Sequence, residues 1–170
     1  MTPRVKILLF CASMTIFVGC DRVTKDLAKA HLMNKPSVSY LHNTVQLVYA
    51  ENTGAAMNLG DSLSQKASFW LLGILPLAFL AGLSVYTVRQ VKDMRAMKVF
   101  SFALIISGGL GNIIDRLLFD RHVTDFMIVG TQSVHTGIFN FADVCVSAGA
   151  IGLLIFYRDK KNSEIISAQS

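Results

Sequence analysis

The chain has 170 residues, of which 52% are hydrophobic and 16% charged, with a net charge of +5. That balance excludes an ordinary water-soluble domain and points to a membrane protein. The positive charge lies in short basic stretches beside apolar segments, where it serves as membrane anchoring, so nucleic acid is excluded as a partner.

A helix needs about 20 mostly apolar residues to cross a bilayer. Four segments come close, at about residues 5–21, 67–88, 99–118 and 139–157. The expected fold is an all-α membrane protein of four transmembrane helices, one domain over residues 1–170, with a small extracytoplasmic β platform. At the N-terminus a basic start and an apolar run lead to Phe17-Val18-Gly19-Cys20, which imitates the cleavage box of a lipoprotein signal peptide. Three further spans follow, and the helix continues through Cys20 into Asp21, Lys25 and Leu27 without a breaker. Both features argue against a lipoprotein. Residues 22–34 extend the first helix, with Val23, Leu27 and Ala30 at helical spacing. Asp21 and Lys25 stand four apart with the acid first, the favourable order for an ion pair. A simple helix-stabilising pair and a support for a functional site are equally open.

From Val38 to Tyr49 the period changes to alternation after a His42-Asn43 turn signal, which predicts a short sheet within about residues 36–60. Asn52-Thr53-Gly54-Ala55-Ala56 follows as a loop of small residues that permits close backbone approach. A platform of this kind beside a membrane site suits an extended peptide added as a strand. The second span, Ala67–Val88, carries no charge, and Pro76 within it predicts a kink.

Of the sixteen Lys and Arg, nine fall in three short stretches: Arg4 and Lys6; Arg89, Lys92, Arg95 and Lys98; Arg158, Lys160 and Lys161. Both termini are therefore expected on the cytoplasmic side of the membrane. Cys11, Cys20 and Cys145 fall in apolar spans and read as small buried hydrophobes rather than a disulfide framework. His31, His42, His122 and His135 are scattered without metal-ligand spacing, so no metal and no cofactor is expected.

The third span ends Ser107-Gly108-Gly109-Leu110-Gly111-Asn112-Ile113-Ile114-Asp115-Arg116. Gly108, Asn112 and Asp115 share a helical stripe, so the glycines admit a neighbouring helix while two polar side chains face it. Asp115 lies near the negative end of its helix and needs a cationic partner, such as Arg116 or Lys25. Asp125 follows in Val123-Thr124-Asp125-Phe126, an apolar segment that dips back toward the membrane between loop residues. Asp143 comes 18 residues later in Phe139-Asn140-Phe141-Ala142-Asp143, where Asn140 is a candidate N-cap and the helix dipole favours the acid. Capping alone would explain Asp143 if it stood by itself.

Carboxylates beside hydrocarbon are costly, so these acids are functional candidates. Two close carboxylates resist ionising together: one keeps a proton while the other acts as base toward a water. That is aspartic-peptidase chemistry, with Asp143 expected as the ionised member and Asp125 as the protonated one.

Together, Asp21-Arg22-Val23-Thr24-Lys25, Asn52-Thr53-Gly54-Ala55-Ala56, Gly108 through Arg116, Val123-Thr124-Asp125-Phe126 and Phe139 through Asp143 resemble the successive signature blocks of bacterial lipoprotein signal peptidase, signal peptidase II. The resemblance implies an aspartic endopeptidase that removes signal peptides from diacylglyceryl-modified prolipoproteins, cutting just before the lipidated cysteine. It implies Asp125 and Asp143 as the catalytic pair, with Asn52, Gly54, Asn112, Arg116 and Asn140 contacting substrate. Asp21, Lys25 and Asp115 would support the site. The implied partners are lipid-modified prolipoproteins and membrane lipids, met by a monomer with its site near the outer face. Met57 stands where an aromatic is usual, Arg121-His122 replaces a usual glycine, and the segment before Phe139 lacks a common aromatic. The alternatives are an inactive paralogue that binds lipoprotein precursors and a small proton-coupled transporter, although a relay would spread its acids through the membrane depth.

Overall fold

The computed structural model describes residues 1–54, 60, 62–131 and 133–169, with side chains as far as residue 156. Ala55, Ala56 and Met57 lie outside the described residues, as do the side chains of Arg158, Lys160 and Lys161.

Helix α1 spans Pro3–Leu32, begun by Thr2 as N-cap and by proline in its first turn, and it runs unbroken through Cys20. Its extension past residue 21 is helical as expected, and the face it buries carries the Asp21–Lys25 pair rather than the apolar repeat. Asp21, Lys25, Ala28 and Leu32 point inward, whereas Val23 and Leu27 are 58% and 53% exposed. Apolar periodicity here marks the outside of the bundle, because in hydrocarbon the polar groups are the ones that must find partners within the protein. Cys11 and Cys20 are also exposed on α1, contrary to the buried role expected of them; Cys145 is buried. They sit off the inward stripe.

Helix α2 spans Gln65–Gln90. Ahead of Pro76, where a kink is expected, the helix carries a π-helical stretch, Phe69–Ile74, after which the Leu75 N–H reaches the Trp70 carbonyl. Proline offers no N–H, and the widened turn redistributes the backbone bonds ahead of it. Helix α3, Ala96–Leu118, is central and packs on α1, α2 and α4 (Phe141–Gln169). By length and composition α1, α2 and α3 can each cross a membrane; the apolar part of α4, Phe141–Phe156, is shorter. Lys6, counted among the orientation charges, is buried. Its Nζ donates to the carbonyls of Val91, Lys92 and Met94 at 3.2, 3.2 and 2.5 Å, capping the turn between α2 and α3.

At the other end lies a three-stranded antiparallel sheet: β1 (Val38–Tyr40), β2 (Val45–Asn52) and β3 (Val123–Val129), in that order. Leu41, His42 and Asn43 take left-handed backbone angles in the turn between β1 and β2. The third strand corrects the expectation of a dipping loop around Asp125. Ala50 pairs with Asp125 and Asn52 with Val123, a union of segments too far apart in sequence for local pattern to reveal. On its other edge β3 is met by its own chain: the N–H groups of Phe126 and Met127 donate to the Phe139 carbonyl and Thr136 N–H to Val129. An incoming peptide therefore cannot add along that stretch as a strand.

Helices α3 and α4 touch where Gly108 leaves no room for a Cβ: one added there would collide with the Ala142 carbonyl, one residue before Asp143. Gly108→Ala is expected to cost about 2 kcal/mol through overpacking, seen as a lowered Tm in detergent. Gly19→Ala, with nothing within 4 Å of its new Cβ, is the control and should leave Tm unchanged or slightly raised.

Candidate active site

Where the helix ends meet the sheet, Lys25 on α1 is wholly buried. Its ammonium has three hydrogens and finds three acceptors: Asp21 Oδ2 at 2.7 Å, Asp115 Oδ2 at 2.9 Å and Asn112 Oδ1 at 3.0 Å. Asp21 Oδ1 in turn accepts the Ala142 N–H at 3.0 Å, and Gly111 leaves room for that carboxylate. Helices α1, α3 and α4 are thus joined through one cation. Asp115 also accepts from Arg22 Nη1 at 2.8 Å and from the Thr124 backbone at 3.4 Å. Lys25 is the partner expected for it. Arg116 is not, because one residue further round the helix it faces the other way and donates to the Gly54 carbonyl at 2.7 Å. The second cation on Asp115 is Arg22, which also lies over the Phe119 ring at 5.0 Å; its position beside Asp21 is the signal for it in the sequence.

Three asparagines surround the two acids, and a donor fixes the orientation of each amide. Lys25 can only donate, so Asn112 turns its oxygen to Lys25 and its Nδ2 to Asp143 Oδ1, at 2.9 Å. The Gly54 N–H holds the Asn52 oxygen at 2.9 Å, so Asn52 Nδ2 faces Asp125 Oδ2 at 3.1 Å. The Asp143 N–H holds the Asn140 oxygen at 3.1 Å, so Asn140 Nδ2 reaches Asp125 Oδ1 at 2.6 Å and Asn112 Oδ1 at 3.0 Å. Asn140 N–H returns a bond to Asp143 Oδ2 at 3.0 Å. This reciprocal cap starts α4, as the spacing of Asn140 and Asp143 predicts. The cap and the cavity-facing role coincide: the same carboxylate caps the start of α4 and meets Asn112.

Asp125 and Asp143 open onto one cavity of about 390 Å³, together with Asn52, Asn112, Arg116 and Asn140. Its other walls are largely apolar, including Val123, Ile138, Phe139 and Val146. Asp125, on β3, is buried, and burial pushes its carboxyl up to about 6. The nearby Asp143 charge adds to that rise, while the bonds from Asn52 and Asn140 oppose it. All ten residues singled out from the sequence gather here: Asp125, Asp143, Asn52, Gly54, Asn112, Arg116 and Asn140 at or beside the cavity, and Asp21, Lys25 and Asp115 beneath it. Among the described residues no group of three or more His, Cys, Asp or Glu is placed to hold a metal ion.

The family model described as Signal peptidase (SPase) II matches residues 13–158. The chain belongs to the signal peptidase II family. Among its relatives, the lipoprotein signal peptidase of Chlorobaculum parvum is 37% identical over 154 residues, covering 85% of this chain and 91% of that one. The lipoprotein signal peptidase of Pseudomonas aeruginosa is 30% identical over 155 residues, with 89% of each chain covered. A solved structure of a bacterial membrane enzyme superposes with a TM-score of 0.73 at 28% identity, covering 93% of this chain and 90% of that one. As in that membership, the chain is a membrane-embedded aspartic peptidase by family.

Removing the central cation would leave two buried acids facing each other. Lys25→Met is expected to lower stability by about 3–5 kcal/mol, a larger loss than Gly108→Ala, measured as Tm or as resistance to denaturant in detergent.

Proposed function

We propose that Asp125 and Asp143 are the catalytic pair with which this chain, an aspartic endopeptidase of the signal peptidase II family, removes the signal peptide from lipoprotein precursors. The observation that carries the assignment is that the two carboxylates share Asn140 as a common donor and open onto one cavity. Asp143 is the base toward a water. Asp125 carries the proton that hydrogen-bonds the scissile carbonyl oxygen and is passed on to the leaving nitrogen. Asn52, Gly54, Asn112, Arg116 and Asn140 contact and orient the substrate backbone around the bond to be cut.

The substrates on this reading are diacylglyceryl-modified prolipoproteins, cut before the lipidated cysteine. An apolar cleft of about 300 Å³ lined by Leu72, Pro76, Phe79, Leu80 and Gly109 adjoins the catalytic cavity and shares Asn112, Arg116 and Val146 with it. Its position supports acyl chains lying between α2 and α3 while the peptide meets the carboxylates. The protein acts as a monomer in the inner membrane, with both termini cytoplasmic and the carboxylates toward the outer face; the basic stretches identified above support that orientation.

Purified protein and a diacylglyceryl-modified prolipopeptide provide the test. Wild type should cleave, and Asp125→Asn and Asp143→Asn should each reduce kcat at least about 10³-fold while remaining folded, since the changes are nearly isosteric. Normal cleavage by either variant contradicts the assignment. The pH dependence follows from Asp125: below about 6 it holds its proton, and above that value the acid is lost. On the alkaline side kcat/KM of the free enzyme should therefore fall about tenfold per pH unit above about 6.

A further inference from the structure

Past the end of α3 the chain holds two consecutive non-glycine residues in the left-handed region, Asp120 at φ 47° and Arg121 at φ 75°. The conformation closes the helix, since the Arg121 N–H bonds the Arg116 carbonyl at 3.0 Å. Aspartate visits that region readily because its short side chain bonds locally. Arginine has no such compensation, and glycine is the residue that the backbone favours there. The side chain must contribute something that glycine would forfeit.

Its reach shows what that is. Arg121 Nη2 donates to the Thr53 carbonyl at 3.4 Å and Nη1 to the Leu63 carbonyl at 3.5 Å. Arg116, five residues earlier, donates to the very next carbonyl of β2's exit, Gly54, at 2.7 Å. Two successive carbonyls are therefore gripped by two arginines from one helix end. Between them they hold the turn whose Asn52 amide faces Asp125 and whose Gly54 N–H fixes that amide. Arg121 itself borders a separate polar recess with Thr53, Gln65, Asp120 and His122, and does not line the cavity of the carboxylates.

We propose that Arg121 is a positioning residue for substrate: its guanidinium sets the Asn52–Gly54 turn against the rim of the catalytic cavity, and a strained backbone is retained to place it there. This rests on the reading of Asn52 and Gly54 as substrate contacts.

The test is steady-state cleavage of a diacylglyceryl-modified prolipopeptide by wild type, Arg121→Gly, Arg121→Ala, Arg121→Lys and Asn52→Ala, with Tm measured for each. Glycine and alanine both remove the guanidinium, and each should raise KM roughly fivefold with kcat unchanged. Their stabilities should differ, because glycine accepts the left-handed angle and alanine does not. Arg121→Gly should melt several degrees above Arg121→Ala at the same KM. Lysine keeps a cation without the two-pronged reach and should fall between alanine and wild type in KM. An unchanged KM in Arg121→Gly, or a KM that follows Tm across the series, overturns the proposal. If Asn52→Ala raises KM while Arg121→Gly does not, the inference about Arg121 alone fails. If Asn52→Ala also leaves KM unchanged, the reading of the turn as a substrate contact fails with it.

Discussion

The ammonium of Lys25 divides its three hydrogens among Asp21, Asp115 and Asn112, and the arrangement of the end of the bundle that meets the sheet follows from that division. Asp21 reaches the first turn of α4, Asp115 reaches the backbone of β3, and Asn112 reaches Asp143. A cation with no access to water must have all its hydrogens accepted, or it costs several kcal/mol. The requirement fixes the relative height of three helices. It also decides which face of Asn112 is a donor, and so which group greets the proposed catalytic base.

From that anchor the polar order spreads outward through amides. Each of Asn52, Asn112 and Asn140 has its oxygen claimed by a donor, leaving its nitrogen for a carboxylate. Charged groups near hydrocarbon are tolerated when they are paired and hydrogen-bonded throughout. Asp125 nonetheless pays for its burial with a carboxyl raised to about 6, in spite of two amide donors. A buried, raised acid beside a partly exposed acid at a helix start is the asymmetry that the proposed pair requires.

The membrane character and the β hairpin were legible in the chain from local signals, long uncharged runs and a His-Asn turn, and the ten residues that gather around the cavity were picked out by the acids near apolar segments together with the motif blocks of the resemblance. The Asn140–Asp143 cap was legible as well, from spacing alone. Three things were not. The strand holding Asp125 pairs with β2 across about 70 residues, as in Asn52 opposite Val123, and its own run, two polar residues followed by four apolar ones, shows no alternation. Which face of α1 turns inward was not legible, because periodicity in a membrane helix does not say which side meets lipid. Of the partners of Asp115, Lys25 follows from the sequence, but Arg22 does not, because the adjacent Arg116 competes with it and its direction depends on a helical turn of about 100° per residue.

The central claim is that the carboxylates act as an asymmetric pair, with the proton on Asp125 and Asp143 ionised. Neutron diffraction from substrate-free crystals grown near pH 5 measures this directly. The account predicts nuclear density for one proton on an Asp125 oxygen and none on Asp143. A proton on Asp143 with Asp125 bare, or two bare carboxylates at that pH, would contradict it.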